Sequence, residues 1–387
     1  MICLVTETYP PEINGVALTL ARLAGGLRAR GHAVSVVCPR QRAAVRRSIE
    51  PDLIEVRGVA LPGYPGLRGG LPAGRTLYEA WTRERPDVVY VATEGPLGWS
   101  AVRAARRLGV LVWSGFHTRF PEYVRHYGAP WLATAAWNYL RRFHNRTLGT
   151  LVADAALRDE LAATGFQNVH VLGRGVDCEQ FCPGRRSAAL RASWGLREVD
   201  LAALYVGRVA AEKNVPLAIE AYRAMTRAET RVRLVIVGDG PLRHALEGAH
   251  PDVLFRGVQT GEALATHYAS ADVFLFPSET ETFGNVTLEA MASGLAVVAY
   301  DYAAAGAHIV DGASGILVPP GDASVFVARA MALARSPERV LPLGLAARAH
   351  ASTVGWPIIL DAFEALLLGD PRPSAALSAR LGGNHVV

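Results

Sequence analysis

The sequence predicts an α/β chain built as two doubly wound, parallel-sheet domains of similar size. Three observations lead there. Short apolar runs alternate with helical stretches along most of the chain, the pattern of parallel strands joined by crossover helices. The rhythm occurs twice, interrupted by "VLGRGVDCEQFCPGRRS", which is rich in Gly, Pro and charge. And 387 residues exceed one ordinary core, so two domains are the default.

In the first half the strands are read at "ICLVT", "HAVSVVC", "PDVVYVATEG", "GVLVWSGFH" and "TLVAD". The helix "VALTLARLAGGLRARG" follows the first strand and stops at Gly31, the residue favoured just past a helix end. In the second half "LAALYVGRV", "VRLVIVGDG", "VLFRGV", "DVFLFPS", "LAVVAYD" and "GILVPPGD" alternate with the helices "NVPLAIEAYRAM", "PLRHALEGA", "GEALATHYASA" and the stretch after "ETETFGN". The junction falls in 173–184, which sets domains of 1–175 and 176–353. "WPIILDAFEALLL" is a further amphipathic helix, and the tail after Gly369 is expected to be loose. Two such domains on a short linker imply a central cleft, with ligands beyond the carboxyl ends of the strands.

Composition narrows the function. Half the residues are hydrophobic and 19% are charged, which suits a soluble globular enzyme. The net charge of +5 comes almost wholly from arginine and favours anionic small molecules, phosphates or acidic lipid surfaces. It is too mild and dispersed for nucleic acid. Four cysteines are too few for a disulfide framework; Cys3 and Cys38 sit at strand ends as small apolar residues, and Cys178 and Cys182 lack the companions of a zinc site. "MICLVTETYPP" is a strand running into a loop and not a signal peptide, and no run approaches the roughly 20 apolar residues that span a bilayer. A cytoplasmic protein is expected.

The strand-end loops carry the chemistry. "ADVFLFPS" is a buried strand and "ETETFGN" the loop beyond it. Asn285 reads as the N-cap of a helix from Val286 to Ala292, whose unpaired first amides form an anion site that Gly284 lets a ligand approach. Glu289, one turn inside, is placed to accept two hydrogen bonds from a ribose diol, and Glu281, ahead of the helix, to face a sugar. Arg208 and Lys213 emerge in "YVGRVAAEKN", where two cations neutralise a departing diphosphate. "VIVGDGP" is a Gly-rich turn, and the backbone around Val258 in "LFRGVQ" is placed to read a base edge.

In the first half "ETYPPEINGVALTL" stands where a dinucleotide site would need G-x-G-x-x-G, which argues against a nicotinamide or flavin. Asn14 and Gly15 open the first helix instead. His117, at the end of "GVLVWSGFH", is placed to bond a sugar hydroxyl or orient an acceptor. Residues 130–146 mix Trp131, Trp137 and Tyr139 with Arg141, Arg142 and Arg146, and are read either as core aromatics with a solvated arginine rim or as an interfacial segment touching a membrane peripherally, at its inner face.

Taken together, "ETETFGNVTLEAMASG" resembles the E-x7-E signature of retaining GT-B glycosyltransferases of the glycogen-synthase-like family 4 group. "GRVAAEKN" and "VGDGP" are similar to that family's accompanying segments. "ETYPPEINGVA", "ATEGPLG" and "FHTRFPEY" resemble its branch of GDP-mannose-dependent or glycolipid-directed transferases. The resemblance spans nearly the whole chain in order. It implies a GT-B fold, two Rossmann-like domains facing a central cleft, with the helix from about 354 to 369 crossing back to the first domain. It assigns Glu281 to the donor sugar's hydroxyls, and Phe283, Gly284, Asn285, Val286 and Thr287 to the diphosphate and sugar. Glu289 falls to the ribose, Arg208 and Lys213 to the phosphates, Gly15 with Asn14 to the phosphates from the first domain, and His117 beside the reacting sugar. Tyr9 and Glu94 are the acceptor-side candidates. One departure is "YAAAGAHIV", where many relatives carry Gly-Gly and then Glu.

The expected activity is transfer of a hexose, mannose from GDP-mannose first, to a hydroxyl of a lipid or glycan. UDP-glucose, UDP-glucuronate and UDP-galactose stand as alternative donors. No cofactor is expected, and the absence of an Asp-x-Asp motif near a strand end points to catalysis without a metal. A non-catalytic binding protein that closes on a sugar nucleotide and a nucleotide-sugar epimerase are the competing classes; a phosphorylase would need pyridoxal phosphate and a much longer chain.

Overall fold

The computed structural model describes residues 1–12, 14–40, 52–60, 68–117, 130–228, 231–281 and 283–369. The tail after Gly369, residues 118–123 of "FHTRFPEY" and the side chain of Trp131 lie outside the described residues. The chain divides into two compact units, Met1–Gly173 with the chain from Pro357, and Arg174–Trp356.

The first unit is built on β1 (Ile2–Val5), β2 (Val34–Pro39), β3 (Leu53–Val56), β6 (Val88–Val91), β7 (Leu111–Gly115), β8 (Thr150–Val152) and β9 (Val169–Val171), which run parallel in the order β3-β2-β1-β6-β7-β8-β9. A separate antiparallel ribbon pairs β4 (Gly58–Ala60) with β5 (Arg68–Gly70). The central strands "ICLV", "VSVVCP" and "VVYV" are buried at every position, the continuous apolar runs of a sheet covered on both faces. Its helices are α1 (Gly15–Ala29), α2 (Gly74–Arg83), α3 (Pro96–Arg107), α4 (Pro130–His144) and α5 (Ala155–Ala163). Gly31, at φ 86°, follows the end of α1 in the left-handed conformation that stops a helix.

The second unit repeats the plan. Its strands β10 (Leu201–Val206), β11 (Val232–Val237), β12 (Leu254–Phe255), β13 (Val273–Phe276), β14 (Ala296–Tyr300) and β15 (Ile316–Val318) run parallel in the order β12-β11-β10-β13-β14-β15. Its helices are α6 (Ala188–Ser193), α7 (Val215–Met225), α8 (Arg243–Ala249), α9 (Gly261–Ala269), α10 (Asn285–Ala292), α11 (Ala303–His308), α12 (Ala323–Arg335) and α13 (Val340–Ala351). The last helix, α14 (Trp356–Leu368), packs on the first unit. Its Phe363 ring meets Tyr90 edge-on at 5.0 Å. Its Leu360 fills the space that a Cβ on Gly26 would need, and Arg30 bonds Asp361 and Glu364.

Each sheet has one place where strand order reverses. In the first unit it lies between β1 and β6, in the second between β10 and β13. Chain leaving the two adjacent strands turns to opposite sides there, so a crevice opens beyond their carboxyl ends.

Candidate active site

In the second unit the loops after β10 and β13 flank that reversal. Lys213, the single lysine of the chain, joins them. Its Nζ lies 2.5 Å from Glu281 Oε1 and 2.9 Å from the Thr280 carbonyl, and both side chains of the ion pair are 15% exposed. The Ser278 hydroxyl donates to the same Oε1 at 2.8 Å. Arg208, on the same loop as Lys213, stands 3.5 Å from the nearly buried Glu212. The Tyr205 hydroxyl donates to the Arg208 carbonyl, and burial, with Glu281 and Glu212 adding to it, pushes that phenol well up. The "VGDG" turn lies against this loop backbone to backbone: a Cβ on Gly238 would stand 1.9 Å from the Gly207 oxygen.

The helix start differs from the sequence expectation. Asn285 is not the N-cap but the first helical residue of α10; Gly284 caps it, at φ 89° and ψ 63°, and no side chain bonds the first turn. The physical reason is the left-handed turn, which glycine enters without a Cβ penalty and asparagine does not. Thr287 donates its amide to the Gly284 carbonyl, and Val286 stands beside it in the first turn. One turn inside, Glu289 accepts from the Tyr268 hydroxyl at 3.0 Å. Burial lifts its carboxyl to about 7, against that hydrogen bond, which lowers it. Phe283 is buried, its ring edge-on to His308. Glu281, Phe283, Thr287, Tyr302 and Ala303 line a small pocket. Val258, beyond β12, is more than half exposed.

In the first unit Asn14 does cap its helix: its side chain accepts from the Ala17 amide and donates to Thr8 Oγ1 at 2.6 Å, and Gly15 opens α1 in an exposed position. His117, beyond β7, is 6% exposed, with Nε2 2.9 Å from the Tyr90 hydroxyl. Tyr9 is buried. Glu94 Oε1 lies 3.2 Å from Nε2 of the fully buried His144, and the Glu94 carbonyl accepts from Tyr139. Trp137 stacks on Phe116 within the core, while Tyr139, Arg141, Arg142 and Arg146 are exposed. Residues 134–146 therefore divide into a core face and a solvated one.

Sequence reasoning missed Glu7. It follows β1, its amide donates to Thr93 Oγ1 at 2.9 Å, and its carboxylate accepts from the Leu97 amide at 3.2 Å. Burial, reinforced by the charge of Glu94, lifts its carboxyl to about 7, against hydrogen bonds from the Leu97 and Gly70 backbone. The available signal was an acid directly after the first strand. Ser278 and Tyr302 were missed as well.

Among the described residues no three His, Cys, Asp or Glu side chains gather as a set that would hold a metal ion. Nor is any described helix long and apolar enough to cross a membrane.

Comparison with known proteins adds the following. Residues 201–336 match the model of glycosyl transferases group 1, and residues 13–180 that of glycosyltransferase family 4. A GDP-mannose-dependent alpha-mannosyltransferase of Mycobacterium tuberculosis (strain CDC 1551 / Oshkosh) is 35% identical over 365 residues, 93% of this chain and 94% of its own length. The sulfoquinovosyl transferase SQD2 of Arabidopsis thaliana is 33% identical over 317 residues, 79% of this chain and 61% of its own. Sucrose-phosphate synthase from Thermosynechococcus elongatus shares the fold, with a TM-score of 0.75 at 19% identity, covering 94% of this chain and 97% of that one.

Proposed function

This chain belongs to the group 1, family 4 glycosyltransferases, and from that premise we propose that it moves mannose from GDP-mannose to a hydroxyl of a lipid or glycan acceptor. Transfer of a sugar from a nucleotide sugar by a GT-B enzyme follows from the family. The choice of donor draws on the mycobacterial relative, which matches nearly end to end. A different donor sugar is the second reading, because a sulfoquinovosyl transferase is 33% identical over 79% of this chain, and UDP is the alternative carrier.

The observation that carries the site is the Lys213–Glu281 ion pair across the β10/β13 reversal, beside the start of α10. We assign the diphosphate to Arg208, Lys213 and the first amides of α10, where positive partial charge gathers. Glu281 takes sugar hydroxyls, with Phe283, Gly284, Asn285, Val286 and Thr287 around them. Glu289 takes the ribose diol and the backbone at Val258 the base. His117 is assigned to a hydroxyl of the donor sugar, Asn14 and Gly15 to a phosphate, and Tyr9 and Glu94 to the acceptor.

In the reaction the bond from the anomeric carbon to the diphosphate oxygen breaks, and the cations and amides stabilise the charge that develops there. The acceptor oxygen attacks from the face the diphosphate leaves, and its proton passes to a departing phosphate oxygen, which preserves the anomeric configuration. These cationic groups do the neutralising that a metal ion would otherwise do, so the rate should survive a chelator. A lipid acceptor would bring the enzyme to the inner face of the cell membrane, with Tyr139, Arg141 and Arg142 as the contact.

The test is a thermal-shift panel of GDP, UDP, ADP and their sugar conjugates, followed by NMR of the anomeric proton in the product. A rise selective for GDP, and an α-linked product from the α-linked donor, are expected. A rise selective for UDP would overturn the donor and keep the mechanism. No response to any nucleotide would overturn the whole reading.

A further inference from the structure

We propose that Ser278 and Tyr302 are positioning residues that fix the orientation of Glu281, and through it the donor sugar, an inference that rests on the role given to Glu281 above. Ser278 lies just beyond β13 and is 1% exposed. Its hydroxyl has one hydrogen to donate, and Glu281 Oε1 at 2.8 Å is a better acceptor than the Thr280 carbonyl at 3.4 Å. Oε1 also takes the Lys213 ammonium. Two donors on one oxygen, one of them charged, stop the carboxylate from turning. The other oxygen, Oε2, carries neither of these bonds and lies 3.7 Å from where a Cβ on Gly284 would stand. Oε2 is therefore the oxygen presented to a sugar hydroxyl.

Ser278 is itself held from a distant part of the chain. Its carbonyl accepts from the Tyr302 hydroxyl at 2.5 Å, and the Ala304 amide donates to the Phe283 carbonyl at 2.7 Å. The turn after β14 thus grips the Glu281 loop at both ends, at 278 and at 283. The residue between those two anchors, Ala303, sits at φ 51°, a conformation that alanine keeps only where its surroundings impose it. Ser278, Glu281, Phe283, Tyr302 and Ala303 line the same pocket.

The test uses the full chain, with Ser278→Ala, Ser278→Thr, Tyr302→Phe and Glu281→Gln, and the donor selected by the thermal-shift panel. Loss of alignment should lower kcat about 10- to 100-fold in Ser278→Ala and by less in Tyr302→Phe, with donor KM and GDP affinity within about twofold of wild type. Ser278→Thr should restore most of the rate. Adding Ser278→Ala to Glu281→Gln should cost nothing further, because the group it positions is already lost. Wild-type kcat in both hydroxyl-deletion variants, beside an impaired Glu281→Gln, would overturn the inference. So would losses that multiply in the double variant, or nucleotide affinity falling in step with kcat. If Ser278→Ala does not fold, Tyr302→Phe carries the same comparison. Full turnover in Glu281→Gln would instead remove the underlying reading.

Discussion

The two strand-order reversals share a topology and differ in charge. Between β10 and β13 the carboxylate of Glu281 meets the chain's single lysine, beside a helix start. Between β1 and β6 the carboxylate of Glu7 meets another acid, Glu94, and its direct hydrogen bonds come from backbone amides. A diphosphate suits the β10/β13 setting, whereas the paired acids of the β1/β6 setting suit a neutral, hydroxyl-rich molecule and leave only the start of α1, at Asn14 and Gly15, for a phosphate. The same parallel-sheet plan thus gives two crevices, and the side chains beyond the strands decide which ligand each can hold.

The sharpest way to break this contrast is Lys213→Ala. If the ammonium stabilises the departing phosphate, kcat should fall by about 10²- to 10³-fold. Lys213→Arg should not restore it. All other Lys+Arg positions in the chain are arginine, so a lysine here marks a site for a compact charge on a flexible stem rather than a planar fork. Steady-state kinetics decide the matter: an arginine variant at the wild-type rate would reduce Lys213 to a generic positive charge.

Charge neutralisation should act on stability with opposite sign at the two reversals. Glu281→Gln leaves Lys213, 15% exposed, without its counter-ion, at a cost of about 3 kcal/mol. Glu7 behaves the other way. Its folded carboxyl is raised to about 7, so its stabilising contribution is complete below the ordinary carboxylate range and is lost as pH rises through about 7. The slope over that interval approaches about 1.4 kcal/mol per pH unit. Glu7→Gln should therefore gain on wild type at pH 8 and not at pH 4. Urea midpoints at the two pH values test this, and a loss of stability for both variants at pH 8 would erase the contrast.

The second reversal was far more legible in sequence than the first. Glu281, Arg208 and Lys213 each lie in a loop that follows an apolar run, and Glu289 lies one turn into the helix after such a loop, so strand-end reasoning finds them. Glu7 follows a strand too, but its partner Glu94 is brought beside it by the β1/β6 register, which pairs Val5 with Val91. No local pattern states that register. Ser278 and Tyr302 are similarly invisible, since their hydrogen bond spans 24 residues, with α10 and β14 between them. Asn285 was misread because Asn and Gly are both good caps by residue type, and only the left-handed φ at Gly284 separates them. The ribbon of β4 and β5 escaped notice because "GVA" and "RGG" are too short and glycine-rich to read as strands.

A smaller effect is expected at Glu289, whose carboxyl is also raised to about 7 by burial, here opposed by a tyrosine hydrogen bond and not reinforced by a second acid. It must ionise to accept two ribose hydrogen bonds. Nucleotide affinity of the wild type should therefore increase as pH rises through about 7, and Glu289→Gln should bind about tenfold more weakly at pH 8 with a flat profile. Calorimetry at pH 6 and pH 8 separates the two. A flat wild-type profile would take the ribose away from Glu289.

The smallest effects belong to two glycines, one at each reversal, and they should fail for different reasons. At Gly284 a Cβ would have only ordinary contacts, the nearest being Glu281 Cγ at 3.5 Å, so Gly284→Ala is strained by φ alone and should cost about 1 kcal/mol. At Gly95 the backbone, at φ −71°, is open to any residue, but a Cβ would stand 2.1 Å from Glu7 Oε1. Gly95→Ala must displace that carboxylate, again at about 1 kcal/mol or somewhat more. Combining each with removal of its neighbouring acid tells them apart. The Gly95→Ala penalty should vanish beside Glu7→Ala, where the space is empty, and the Gly284→Ala penalty should persist beside Glu281→Ala, because no side-chain deletion changes the sign of φ. Denaturation midpoints of the four single and two double variants measure this. A Gly95→Ala penalty that survives loss of Glu7 would mean that the first reversal is closed by backbone packing, and not by the acid that distinguishes it from the second.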